Sequence, residues 1–334
     1  MTVDEDLLKV AALPYNYSAL KDKTVLISGG TGFLGSAVVD VLELRNRFYG
    51  DNIKIISLSR RARENRGNVA YIAADIRNLP EIPGNIDFIL HLASNTHPAQ
   101  YATDPVGTIT ANVLGCDNLL RLAVQKKIER FLLASSVEIY GDCGNFPVDE
   151  KYCGYIDCAT VRAGYNEAKR LSESLALSYG KQYGINTVTV RPARCFGPDF
   201  TKIDTKVMAQ FIGNAVRGED IILKSEGKQR FSYCYYVDAV SGIIFALLSG
   251  ENGKAYNISD DDDGKNLRER AEFIASLAGR KVVCDFAPTE GASVSGYALT
   301  DCSSLKSLGW NPMFTVEEGI EKTYKTLKNH SVNV

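Results

Sequence analysis

Histidine is scarce in this chain of 334 residues, which has only His91, His97 and His330. Three scattered imidazoles make no ligand cluster, and Cys153 and Cys158 are spaced unlike a zinc pair, so no metal site is expected. Long apolar runs are missing too. Nothing approaches the ~20 residues that cross a bilayer, so no membrane partner is expected. Excess charge is absent, the net value being −2, and a nucleic-acid partner has no electrostatic support. There is no internal repeat, and the one biased tract, Asp260–Asp263, reads as a solvated loop. The opening Met-Thr-Val-Asp-Glu-Asp lacks the pattern of a secretory signal. Eight cysteines are present, but Cys116, Cys195, Cys234 and Cys284 lie in apolar or motif-bearing segments. They read as reduced thiols, and a soluble, cytoplasmic protein is expected.

What is present is an ordinary globular composition, 45% hydrophobic and 23% charged, in a chain long enough for a large domain and a smaller lobe. Strand-like apolar runs stand at Thr24–Ser28, Ile53–Leu58, Val69–Ala73, Phe88–Leu92, Phe131–Ala134 and Thr187–Val190. Helical stretches lie at Gly35–Leu44, Thr108–Gln125 and Tyr165–Tyr183. Strand–helix alternation predicts an α/β fold with a Rossmann-type, doubly wound parallel sheet. After Pro198 the regularity falls: helices are expected at Val207–Val216, Asp238–Leu248, Leu267–Ala278 and Val316–Leu327, with strands at Ile221–Lys224 and Lys281–Phe286. The expected division is a dinucleotide-binding domain over residues 1–196 and about 236–258, with a C-terminal substrate-binding lobe from 197–235 and 259–334. Residues 1–20 read as a leader with a short helix packed on the body.

Gly29-Gly30-Thr31-Gly32-Phe33-Leu34-Gly35 follows the first strand and opens the first long helix. Glycines there permit a tight turn and close approach of backbone N–H groups to a pyrophosphate, which the helix N-terminus favours. The second strand ends Ser59-Arg60. An NAD site commonly has an acid here for the ribose hydroxyl, whereas arginine accommodates a 2′-phosphate, so NADP is favoured over NAD. The alternative is that Arg60 and Arg61 are solvated charges. Asp75-Ile76 ends the third strand, where a carboxylate can accept from adenine. Leu92-Ala93-Ser94 ends the fourth, where small residues let the chain pass beneath the cofactor.

Two later motifs supply chemistry. Tyr165 and Lys169 lie four apart on an expected helix, hence on one face, where the cation makes the phenol a better base. Ser136 can orient a sugar hydroxyl or keto oxygen toward Tyr165. Glu138, two residues on, would share its side in extended backbone and could handle a neighbouring proton. A plain surface glutamate is the equal alternative.

Together these residues resemble the extended short-chain dehydrogenase/reductases of the nucleotide-sugar epimerase/dehydratase family, over roughly Thr24 to Thr326. Asn112-Val-Leu-Gly115, Tyr140-Gly141, Phe196-Gly197-Pro198, Tyr235-Tyr-Val-Asp238 and Leu308-Gly-Trp310 add to the likeness. Within that family, Pro98-Ala-Gln-Tyr101 and Arg162-Ala-Gly-Tyr-Asn-Glu-Ala-Lys-Arg170 look like the UDP-glucuronate decarboxylase branch. The resemblance implies that Tyr165 is the base, Lys169 its activator and ribose ligand, and Ser136 the substrate orienter. It also implies Asn112 at the cofactor; Arg194, Val207, Arg230 and Tyr235 at a nucleoside-diphosphate sugar; and a homodimer formed through Thr108–Gln125 and Tyr165–Tyr183. Three departures leave the substrate open. Ser136-Val137-Glu138 lacks the aspartate of the dehydratases, Arg194 stands where an asparagine is usual, and Arg230 lies one residue early for the family arginine. The implied activity is oxidation of the sugar C4 hydroxyl to a 4-keto intermediate through NAD(P), leading to epimerisation or dehydration. Decarboxylation of a UDP-glucuronate-type sugar, or NADPH-dependent reduction of a keto sugar nucleotide, is the alternative outcome.

Overall fold

The first strand, Thr24-Val-Leu-Ile-Ser28, is apolar along nearly its whole length because both of its faces are covered, the pattern of a parallel sheet between helices. The computed structural model describes residues 4–95, 103–144, 146–198, 206–261, 263–286 and 297–332. Seven parallel strands form the main sheet: β1 (Thr24–Ser28), β2 (Lys54–Ser59), β3 (Val69–Ala73), β4 (Phe88–His91), β5 (Arg130–Ala134), β6 (Thr187–Pro192) and β11 (Lys254–Ile258). Their order is β11-β6-β5-β4-β1-β2-β3. The chain therefore leaves β1 toward one edge and returns at β4 toward the other, which opens a crevice at their carboxyl ends.

Alternate residues serve the two faces. Val25 and Ile27 join a core beneath helices α1 (Glu5–Ala12), α2 (Phe33–Tyr49) and α6 (Tyr236–Ser249). Leu26 joins the opposite core with Ile89, Phe131 and Leu133, beneath α3 (Pro105–Lys126) and α4 (Ala163–Tyr183). α3 and α4 approach closely because Gly164 has no side chain; a Cβ there would come within 2.9 Å of Ile109 Cδ1. The leader forms its helix as expected, with Asp4 accepting from the backbone N–H groups of Asp6 and Leu7 at its start.

The C-terminal part is built from α5 (Val207–Arg217), α7 (Leu267–Leu277), α8 (Ser303–Ser307), α9 (Val316–Val332) and three short parallel pairs. These pairs are β7 (Arg194–Phe196) with β10 (Tyr233–Tyr235), β8 (Ile221–Leu223) with β12 (Val282–Cys284), and β9 (Arg230–Phe231) with β13 (Tyr297–Ala298). It is fastened to α6 by buried polar contacts. Trp310 Nε1 donates to Ser241 Oγ (3.0 Å), and Asp238 accepts from the N–H groups of Met313 (2.6 Å) and Phe314 (3.2 Å). Burial pushes the Asp238 carboxyl up to about 7. Every expected strand and helix is found with ends shifted by a few residues, and β11, which the sequence pattern did not single out, completes the sheet edge.

Candidate active site

The glycine loop bridges β1 and α2, and its shape admits few substitutions. Gly29 has φ +77°, and a Cβ there would lie 2.8 Å from both Cα and N of Ala93, two residues past the end of β4. At Gly35 a Cβ would fall 2.1 Å from Gly29 O. Thr31 lies in the turn and Gly32 is the N-cap of α2, donating to Gly29 O at 2.8 Å, while no side chain caps the helix. Among the described residues the first-turn N–H groups of Phe33, Leu34 and Gly35 have no side-chain cap and could meet an anion from outside the helix, such as a dinucleotide pyrophosphate. The residues present fit such a cofactor.

The flanking positions behave unequally. Ser94 Oγ donates to Asn112 Oδ1 (2.9 Å), which joins the end of the β4 segment to α3. Ser59 Oγ donates to Arg61 O (2.7 Å), so the end of β2 offers no carboxylate, and Arg60 is exposed. Asp75 was expected as an adenine acceptor. Its two oxygens instead take Arg77 Nε (3.0 Å) and Nη2 (2.6 Å), and this pairing holds the carboxyl below its usual range. Ile76 packs on α3, where a Cβ at Gly115 would come within 2.4 Å of its Cδ1. Leu92 packs against the core and Ala93 seats Gly29.

Tyr165 and Lys169 share the buried side of α4, with the ammonium 5.9 Å from the centre of the phenol ring. Lys169 Nζ donates to Ala134 O (2.8 Å) at the carboxyl end of β5. Burial draws its pKa down to about 8, against weaker opposing effects from Cys116 and Glu173. His91, across the strand end, donates to or accepts from Ser28 Oγ (2.8 Å). Burial, and then the Lys169 charge, lower it to about 3, so it is neutral at physiological pH.

Ser136 lies two residues past the end of β5 and Glu138 lies close by, but the expected extended backbone is not found. Val137–Tyr140 is a short 3-10 helix capped by Ser136, whose Oγ accepts from the Glu138 N–H (3.2 Å). Ser136 and Glu138 are therefore related by a turn rather than by strand alternation. Asn166, beside Tyr165, donates to Glu138 O (2.7 Å) and ties the turn to α4. The Glu138 carboxylate faces Arg194 Nη2 (3.5 Å) and Arg162 Nη2 (3.6 Å). Arg194 lies over the Phe231 ring at 3.9 Å, with its buried Nη1 lacking a hydrogen-bond acceptor among the described residues. Arg162 and Asn166 were not singled out as site residues. Their positions three residues before and one after Tyr165, on the same helix end, are the available signal.

Three further expected substrate contacts are Tyr235, Val207 and Arg230. Tyr235 is wholly buried, its ring against Phe196, Tyr236 and Phe314, its hydroxyl donating to Asp6 Oδ2 (3.4 Å). Packing thus removes it from the site. Val207 opens α5 and packs partly buried on the core, and Arg230 lies in β9 in register with Tyr297.

A family model described as NAD dependent epimerase/dehydratase family matches residues 25–259. The chain belongs to this family. It is an NAD(P)-dependent enzyme of the extended short-chain dehydrogenase/reductase type. Among relatives, UDP-glucuronic acid decarboxylase 1 of Danio rerio is 30% identical over 318 residues, covering 93% of this chain and 74% of that one. UDP-glucuronic acid decarboxylase 3 of Arabidopsis thaliana is 33% identical over 306 residues, covering 89% and 86%. Among solved structures, UDP-glucose 4-epimerase of Thermotoga maritima with UDP-glucose superposes with a TM-score of 0.77, at 21% identity over 92% of this chain and 99% of that one. In this family the glycine loop and the Tyr165/Lys169 pair fall within the matched residues. Among the described residues no helix is long and apolar enough to cross a membrane.

Proposed function

We propose that the enzyme binds a nucleoside-diphosphate sugar and oxidises its C4 hydroxyl to a ketone, with epimerisation or dehydration following. The observation that carries this reading is the buried Tyr165/Lys169 pair, bonded through Lys169 to Ala134 O two residues before Ser136, at the carboxyl end of the sheet where the glycine loop also lies. Phe33, Leu34 and Gly35 would hold the pyrophosphate, Asn112 and Ser94 would line the cofactor, and Lys169 would reach its ribose. When bound, NAD(P)+ supplies the electron acceptor for the C4 hydrogen and can return it. Ser136 donates to the C4 oxygen and orients it. Tyr165 takes the hydroxyl proton, favoured by the Lys169 ammonium, and gives it back when the ketone is reduced. Glu138 is placed for a second proton at the carbon beside the ketone.

One observation favours a second outcome. Arg162 and Arg194 face Glu138 at one end of the site, and the relatives named above are UDP-glucuronic acid decarboxylases. A C6 carboxylate would meet cations there, and a 4-ketone makes its loss as carbon dioxide feasible. The cofactor reading extends to NADP through Arg60. The lobe of residues 197–235 and 259–334 is assigned to the sugar nucleotide, and the working compartment to the cytoplasm, where eight free cysteines are stable. A homodimer is proposed through α3 and α4, whose exposed Ile109, Leu114, Leu171 and Leu177 give an apolar face.

The test is to denature the purified protein, identify every released nucleotide by mass spectrometry, then supply UDP-glucose and UDP-glucuronate separately. Retained dinucleotide with an isomerised or dehydrated product supports the first reading, and release of carbon dioxide supports the second. Stoichiometric consumption of NADPH on a keto sugar would replace both with a reductase.

A further inference from the structure

The leader lies outside the family match, which begins at residue 25, yet it is bonded to the segments that surround the site. Asp4 caps α1 with Oδ1, and its Oδ2 accepts from the Tyr236 hydroxyl at 2.5 Å. Burial pushes that phenol far above its ordinary value, so it remains a donor. The Tyr236 ring is a wedge between two pieces of the site. On one side it meets the ring of Phe33 in the glycine loop, 5.9 Å between centres. On the other it lies against the Gly197 backbone, where a Cβ would come within 2.5 Å of Tyr236 Cδ1. Gly197 directly follows β7, the strand that carries Arg194.

The leader itself is anchored independently. Arg45 Nη1 donates to Ala11 O (2.9 Å), the Tyr17 hydroxyl donates to Val10 O (2.9 Å), and Lys322 Nζ of α9 pairs with Asp6 (3.0 Å). Asp4 is therefore a fixed acceptor, and a phenol held to it cannot swing without leaving a buried hydroxyl unsatisfied.

We propose that Asp4 is a positioning residue for the cofactor site: through Tyr236 it fixes Phe33 relative to Gly197, so that the leader sets dinucleotide affinity. The inference rests on the reading of the glycine loop as the dinucleotide site. It differs from simple anchoring because its effect is transmitted through one hydrogen bond.

The experiment measures NAD affinity by fluorescence titration, alongside melting temperature, for the full chain and five variants. Asp4→Ala and Tyr236→Phe are each expected to weaken NAD binding by about 3- to 10-fold, the size of one lost buried hydrogen bond. The double variant should be no weaker than either single one. Asp4→Asn, which keeps a hydrogen bond to the phenol, should restore affinity. Lys322→Ala should lower the melting temperature and leave affinity unchanged. If Asp4→Ala and Tyr236→Phe lose only thermal stability at unaltered affinity, the positioning role is overturned and the leader is a strap alone. A wild-type protein that binds no dinucleotide would overturn the glycine-loop reading itself, and this inference with it.

Discussion

Lys169 and Glu173 lie one turn apart on α4, both turned toward the sheet, and the molecule surrounds them differently. Glu173 meets the guanidinium of Arg191 with two bonds, 3.0 and 2.7 Å. Arg191 also donates to the Tyr140 hydroxyl (2.9 Å) and to Glu150 O (2.8 Å), so burial is outweighed and its pKa rises. Lys169, more deeply buried, has one carbonyl as its hydrogen-bond acceptor among the described residues, and its pKa falls to about 8. A fully partnered ion stabilises the frame and does little else. A poorly compensated one keeps its charge near a phenol, where it can act on a reacting proton. The difference separates scaffold from site on a single helix.

The largest effect should come from the site end of the helix. Tyr165→Phe is expected to lower turnover by about 10²- to 10⁴-fold, the range for a lost general base, while melting temperature and NAD binding stay near wild type. Steady-state kinetics with a sugar nucleotide and a thermal melt check it; retained turnover would remove Tyr165 from the chemistry. Lys169→Met should also lose activity, yet its thermal stability should not fall, because an uncompensated buried charge is exchanged for an apolar chain. The scaffold end should respond in the opposite sense. Arg191→Ala strands Glu173 and is expected to cost about 3–5 kcal/mol of stability by denaturant titration. A loss under 1 kcal/mol would break the comparison.

pH sharpens the same contrast. The Lys169 ammonium is present below about 8 and is lost as pH rises through that value. Turnover should therefore decline across this range, with a limb that Lys169→Arg moves upward. Stability runs the other way for this group. An unfolded lysine keeps its proton to about 10.4, so between about 8 and that value the unfolded state binds more protons, and the Lys169 contribution to folding improves with pH. A turnover profile flat to pH 10 would show that the ammonium is not needed.

How much was legible follows from whether the deciding partner is near in sequence. Buried strands such as Thr24–Ser28 and Val69–Ala73 announce themselves because both faces need apolar residues. Tyr165 and Lys169 were readable because helix geometry alone brings them together. Glu138 was misplaced because a serine hydroxyl turned the chain after β5, and its cations, Arg162 and Arg194, come from a distant helix end and a later strand. Tyr235 looked like part of a substrate motif, but its ring packs against Phe196, Tyr236 and Phe314 and its hydroxyl meets Asp6, far away in the leader. Asp75 was diverted by Arg77, only two residues on, through a local turn that composition does not signal.

The Arg194 cluster gives an intermediate effect. Arg194→Asn, which restores the usual family residue, removes one of the two cations facing Glu138 and the stack on Phe231. KM for an acidic sugar nucleotide is expected to rise about 10-fold, with a smaller change for a neutral one, as for loss of one charge-assisted hydrogen bond. Equal changes for both sugars would mean that Arg194 does not read sugar charge.

The smallest effect belongs to Arg60, where solvent screens the charge. The end of β2 has no carboxylate, since Ser59 turns its hydroxyl to Arg61 O, and Arg60 stands exposed near Asp75. The Arg77 pairing already satisfies Asp75, which leaves the Arg60 guanidinium free to meet a 2′-phosphate. Arg60→Ala should weaken NADP binding by about 3- to 5-fold, the scale of one exposed charge contact, and leave NAD binding unchanged. Parallel titrations with the two dinucleotides decide it. A selective loss for NADP would make the exposed strand end the origin of cofactor choice. Equal affinities before and after would return Arg60 to the status of a solvated charge, and leave the site to the NAD of its family.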